Sequence, residues 1–133
     1  MKTGRSLIQI GLLVVLLLPA AGEAQFTFTT NNGAITITGY TGPGGTVVIP
    51  SMTNGMLVTS LGSNAFYPGR GGSSLTRVTI PYSVTNIGSG AFSSCNSLTN
   101  INIGSNVVTI GDLAFNYCVK LPSRMLKNRL IFA

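Results

Sequence analysis

Cys95 and Cys118 are the only thiols in the chain and stand 23 residues apart. Thiols can ligate a metal, attack as nucleophiles or join as a disulfide. Two lone ligands are too few for a zinc site, which takes four. A thiol or hydroxyl nucleophile needs a base, and the chain has no His, which removes the serine and cysteine triads. The only carboxylates are Glu23 and Asp112, and with Glu23 in a leader there is no paired-carboxylate site. Gly69-Arg70-Gly71-Gly72 is glycine-rich but lacks the Lys and Ser/Thr of a phosphate loop, so it reads as an inserted loop. No catalytic, cofactor-binding or metal-binding residue is expected, and the chain does not read as an enzyme.

The 133 residues permit one domain. Charged residues make up 8% and hydrophobic residues 44%; the rest is mostly Gly, Ser, Thr and Asn, a mixture that favours turns and strands over helices. Residues 1–24 have the three-part layout of a secretory signal peptide. Lys2 and Arg5 open it, Leu7–Ala21 is almost wholly apolar, and Gly22-Glu23-Ala24 precedes a cut before Gln25. The apolar run is shorter than the roughly 20 residues a membrane span needs, so no span is expected after cleavage. The mature chain then holds six cations against one side-chain anion, Asp112, a net charge of +5. Arg70 and Arg77 are isolated, and Lys120, Arg124, Lys127 and Arg129 lie in a basic tail. Without a basic stripe interleaved with aromatics, nucleic acid is not an expected partner.

Self-comparison shows what the cysteines belong to. Leu75, Val78, Ile80, Val84, Ile87, Gly88, Ala91, Phe92 and Cys95 return 23 residues later as Leu98, Ile101, Ile103, Val107, Ile110, Gly111, Ala114, Phe115 and Cys118. A looser copy precedes them in Val47-Val48-Ile49-Pro50, Val58-Thr59-Ser60-Leu61-Gly62 and Ala65-Phe66, with extra residues after Pro50 and after Phe66. Val78-Thr79-Ile80 alternates as a short strand with one buried face, and Pro81 ends it. Val84–Ile87 is a second extended piece, and Gly88 allows a turn. Ser63, Ser89 and Asp112 stand before the Ala-Phe pairs as N-caps of short helical turns. Each repeat is thus one coil, whose inward face is buried only when coils stack. On neighbouring coils Cys95 and Cys118 lie one above the other. A disulfide is sterically conceivable at that spacing, but a buried ladder of small side chains already accounts for the register and is the reading adopted. Upstream, Phe26, Phe28, Ile35 and Ile37 alternate around Asn31-Asn32-Gly33, which predicts a hairpin over Gln25–Thr38 capping the first coil.

Leu-x-x-Val-x-Ile-Pro, Val-x-x-Ile-Gly and Ala-Phe-x-x-Cys together resemble the BspA-like bacterial leucine-rich repeat, and Ile35-Thr36-Ile37-Thr38-Gly39-Tyr40 resembles the segment that often precedes such arrays. The resemblance covers most of residues 26–121. It implies a leucine-rich repeat solenoid of short β-strands and short helical turns with an N-terminal β-hairpin cap. It also implies secretion or bacterial surface display, protein binding or adhesion, and no catalytic residues.

The expected organisation is a signal peptide at 1–24, a hairpin cap and turn at 25–45, about three coils at 46–121, and an irregular basic tail at 122–133. The exposed side of the main strands, with Arg77, Thr79, Asn100 and Asn102 beside Val48, is the expected contact face for a protein or surface glycan. The alternative is a truncated remnant of a longer array with no independent activity, because Leu121-Pro122-Ser123-Arg124 stops matching the repeat. A last coil that ends with Val107, Ile110 and Phe115 beside an irregular tail predicts exposed apolar surface and self-association.

Overall fold

The computed structural model describes residues 26–70 and 74–127. The expected signal peptide and its cut before Gln25, Gly71 and Gly72, and the tail after Lys127 lie outside the described residues. Among the described residues nine strands form in chain order: β1 (Phe26–Asn31), β2 (Ala34–Tyr40), β3 (Gly45–Val48), β4 (Met52–Thr53), β5 (Met56–Leu61), β6 (Leu75–Thr79), β7 (Asn86–Ile87), β8 (Asn100–Asn102) and β9 (Thr109–Ile110). They make two sheets along the stack. One runs β1-β2-β5-β7-β9 with β4 beside β5, and the other runs β3-β6-β8. Apart from the β1–β2 and β4–β5 hairpins, all pairings are parallel. Parallel pairing follows from the repeat, because each coil presents the same strand in the same direction to the next.

The first coil is capped by the β1–β2 hairpin, whose Asn32 and Gly33 both adopt positive φ, 50° and 76°. That is the turn Asn-Gly favours between strands. The hairpin is more than a lid, since β2 extends to Tyr40 and pairs in parallel with β5. The extra residues after Pro50 fold as a second, very short hairpin, β4–β5, about Asn54-Gly55 with φ of 52° and 76°.

The core is one continuous column. Val47, Val78 and Ile101 point inward from one sheet, Ile37, Leu61 and Ile87 from the other, and all are buried. Phe66 and Phe92 are fully buried between the sheets. The aromatic rings stack from Tyr40 through Phe66 and Phe92 to Phe115. Phe115, on the last coil, packs against the core but is only partly buried.

The third side of each coil consists of tight turns, where short helical turns were expected. Ala91 N donates to Gly88 O at 3.2 Å, Ser93 N to Gly90 O at 2.9 Å and Cys95 N to Phe92 O at 3.2 Å. The other amides reach the adjoining coil: Phe66 N to Ala91 O and Phe92 N to Ala114 O, each 2.7 Å, and Ser94 N to Asn116 O, also 2.7 Å. Amides committed to the next coil cannot bond within a helix, and the left-handed residues Asn64, Gly90 and Leu113 before each Ala-Phe break helical geometry (φ 56°, 63° and 59°). Ser63, Ser89 and Asp112 therefore cap no helix.

Gly88 also serves otherwise than as a turn residue. A Cβ there would lie 2.8 Å from the backbone of Leu61, Gly62 and Ser63, and one at Gly111 would lie 2.5 Å from Ser89 N. Glycine at this place lets successive coils approach backbone to backbone, with Gly62 N, Gly88 N and Gly111 N each donating at 2.7 Å to Ile37 O, Leu61 O and Ile87 O.

Candidate partner-binding face

On the three-stranded sheet, alternation sends Val47, Val78 and Ile101 inward and leaves the residues on either side of each facing out. Register pairs Thr46 with Arg77 and Val48 with Thr79, then Arg77 with Asn100 and Thr79 with Asn102. The outward side chains thus form two parallel rows, Thr46–Arg77–Asn100 and Val48–Thr79–Asn102. Arg77, Asn102 and Val48 are exposed, while Thr79 and Asn100 are partly covered by their neighbours. The structure brings together all four residues that the repeat singled out. Thr99 Oγ1 donates to Thr76 O at 3.0 Å, tying the entries of β8 and β6 together. The face offers one guanidinium, two amides, two hydroxyls and one apolar side chain.

The sheet's far edge holds a feature that the repeat pattern did not reveal. One repeat after Ile101–Gly104, where a fourth strand would stand, residues Arg124–Lys127 form one helical turn. It packs against β8, and Leu121, Met125 and Leu126 lie against the core. Arg124 occupies the place of Ile101 and Pro122 that of Thr99, so the branched residue and the amide a strand needs are both missing. Part of the stretch read as an irregular tail is therefore ordered and covers the end of this sheet. Arg124, on this turn, and Lys120, four residues before it in the chain, are both exposed.

The cysteines are buried as thiols on neighbouring coils. Cys95 Sγ donates to Phe66 O at 3.1 Å and Cys118 Sγ to Phe92 O at 3.0 Å, each reaching back one coil. The hydrogen bond with Cys118, then burial and the repulsion of a second thiolate, push the Cys95 thiol well above its ordinary range. The same hydrogen bond draws the Cys118 thiol below its ordinary value, but both sulfurs are buried, and an enclosed thiol is a poor nucleophile. Ser83 Oγ is the one buried side-chain oxygen or nitrogen without a hydrogen-bond partner among the described residues. No His exists to activate it. No group of three or more Cys, Asp or Glu gathers among the described residues, and no helix among them is long and apolar enough to cross a membrane.

Stacked parallel coils of this length, with a short strand on each of two sides, define a leucine-rich repeat solenoid. Residues 46–131 match the BspA type leucine rich repeat region, and the chain belongs to that family. No curated protein matches it. Among solved structures it is similar to a leucine-rich repeat protein of T. pallidum, with 37% identity and a TM-score of 0.67 over 77% of this chain and 47% of that one. A leucine-rich cell surface protein of Faecalibacterium prausnitzii is 34% identical, with a TM-score of 0.62 over 78% of this chain and 30% of that one. A leucine-rich repeat protein of Bacteroides capillosus is 32% identical, with a TM-score of 0.64 over 72% and 73%. The chain thus spans less than half the length of the first two.

Proposed function

We propose that the protein is a secreted or surface-displayed, non-catalytic binding module that contacts a protein partner through the outer face of its three-stranded sheet. The observation that carries this reading is the pair of outward rows, which set Arg77, Thr79, Asn100 and Asn102 in register on a rigid support. A sheet face held by a packed column keeps its side chains preorganised, which lowers the ordering cost of binding. The residues available for chemistry support the same reading, since the thiols are enclosed and no base adjoins Ser83. The leader at 1–24 supports export, and the cell-surface description of the Faecalibacterium relative agrees with display.

The reading is tested by blocking the face. Immobilised protein is offered surface proteins from cells sharing its habitat, and captured proteins are identified and re-bound in purified form. Thr79→Tyr with Asn102→Tyr is expected to abolish re-binding, while Val108→Tyr, just before β9 of the other sheet, leaves it intact. Equal re-binding by the double variant, the Val108 variant and the unmodified protein would refute the sheet face as the contact surface.

A further inference from the structure

The charge on and beside this face has one sign. Arg77 stands on the middle strand, exposed, between Thr46 and Asn100 in register. The element packed against β8 at the end of this sheet is the helical turn Arg124–Lys127, and Lys120 stands four residues before Arg124 in the chain; both cations are exposed. The one acidic side chain among the described residues, Asp112, follows β9 of the opposite sheet. Among the described residues no opposite charge on the face answers these cations. A guanidinium recognises carboxylates through a bidentate pair, and the flanking Asn amides can bond peptide groups beside them.

We propose that the partner presents an acidic protein segment, its carboxylates met by Arg77 in the centre of the sheet and by Arg124 and Lys120 at the end that the helical turn covers. This rests on the sheet-face reading and narrows it to a class of ligand. A polypeptide suits the face better than an acidic glycan. Sugar rings are commonly held against an aromatic side chain, and none of the six outward residues is aromatic. The exposed Val48 and the amides match the mixture of apolar and backbone groups that a peptide brings.

The test uses the purified protein and labelled poly-L-glutamate, with alginate as the acidic glycan, followed by fluorescence anisotropy at low and physiological salt. Arg77→Gln and Arg124→Gln should each weaken poly-L-glutamate binding by about threefold to fivefold, the weight of one exposed ion pair. Val108→Glu changes the net charge equally but lies off the face, so it should change binding by less than about half of that in logarithmic terms. Added salt should weaken all binding. The proposal is overturned if the two Gln variants lose no more than Val108→Glu, which would mean that net charge alone attracts the probe, or if alginate binds more tightly than poly-L-glutamate. If captured partners depend on Thr79 and Asn102 but bind Arg77→Gln undiminished, the sheet face stands and the acidic class falls. If the double Tyr variant also binds undiminished, both fall.

Discussion

Phe66 and Phe92 lie face to face across two coils, with ring centroids 4.7 Å apart and planes 13° from parallel. Phe92 is covered on its other face by Phe115, at 5.4 Å and 1°. Phe92 is thus enclosed by a ring above and a ring below, and neither neighbour can collapse far into a gap. Phe92→Ala should cost about 3–5 kcal/mol, most of the stability of a small domain. Phe115→Ala, partly exposed on the last coil, should cost clearly less. Thermal and urea unfolding of the two variants checks both the size and the order.

Gly88 and Gly111 are held to glycine by backbone of the preceding coil. A methyl at Gly88 would meet three main-chain atoms at 2.8 Å, and main chain does not swing aside as a side chain would. Gly88→Ala should separate two coils and lower stability by about 1–3 kcal/mol, the usual cost of overpacking. Gly33→Ala, where no atom lies within 4 Å of the added carbon, should show only the strain of its positive φ. A larger loss at Gly33 than at Gly88 would contradict this account.

Cys95 supplies the hydrogen for Phe66 O inside the core. Cys95→Val removes that donor and should cost about 1–3 kcal/mol, whereas Cys95→Ser keeps one and should recover some of the loss. The thiol also makes stability depend on pH. Its folded value is raised, so the unfolded chain releases the proton first, from about pH 8.5 upward. Cys118, which the hydrogen bond with Cys95 shifts down, works in the opposite sense and only up to about that pH; above it the raised Cys95 thiol decides, and stability declines as pH rises, by up to about 1.4 kcal/mol per unit. Urea titrations between pH 7 and 10 should show this decline, and Cys95→Ser should flatten it.

Leu113 adopts φ of 59° where the earlier coils place Gly90 and Asn64. A left-handed leucine carries about 1–2 kcal/mol of backbone strain, and Asn tolerates that conformation better. Leu113→Asn should raise stability by several tenths of a kcal/mol to about 1 kcal/mol, read as an increase in Tm.

Val108 and Val119 are 78% and 72% exposed and stand where the preceding coil carries Thr85 and Asn96. With Leu113 and Tyr117, also exposed, they give the last coil an apolar surface that should promote self-association. Returning the two positions to Thr and Asn should shift the protein toward monomer in light scattering. An unchanged mass at every concentration would remove this surface as the cause.

The repeat made the core readable residue by residue, because Val78, Val84, Ile87, Phe92 and Cys95 must all face inward if coils are to stack, and all are buried. Asn31-Asn32-Gly33 announced its hairpin in the same way. The second hairpin carried the same dipeptide, Asn54-Gly55, but sat in an insertion that had no counterpart for comparison. Left-handed Leu113 and Tyr117 carry no local signal, because the stacking of coils imposes their conformation against their preference. The helical turn at Arg124–Lys127 follows from contacts with β8 that periodicity does not express. Tyr40 reads in sequence only as the end of a leading segment, and the fold alone shows it extending the phenylalanine stack. The candidate face was readable from alternation alone. Its basic edge was not, because Arg124 lay in a stretch that had lost the repeat.

The amides of Gly62, Gly88 and Gly111 all point along the stack toward the preceding coil, and this gives the molecule a mechanical grain. A pull on its two ends loads those bonds in series, so layers can separate in succession. A pull across the stack is borne by several strands at once and by covalent chain within each coil. A partner bound at the proposed face and dragged sideways would therefore tug on the stiff direction of the protein, while a stretch along the stack would be absorbed by opening coils at the ends first.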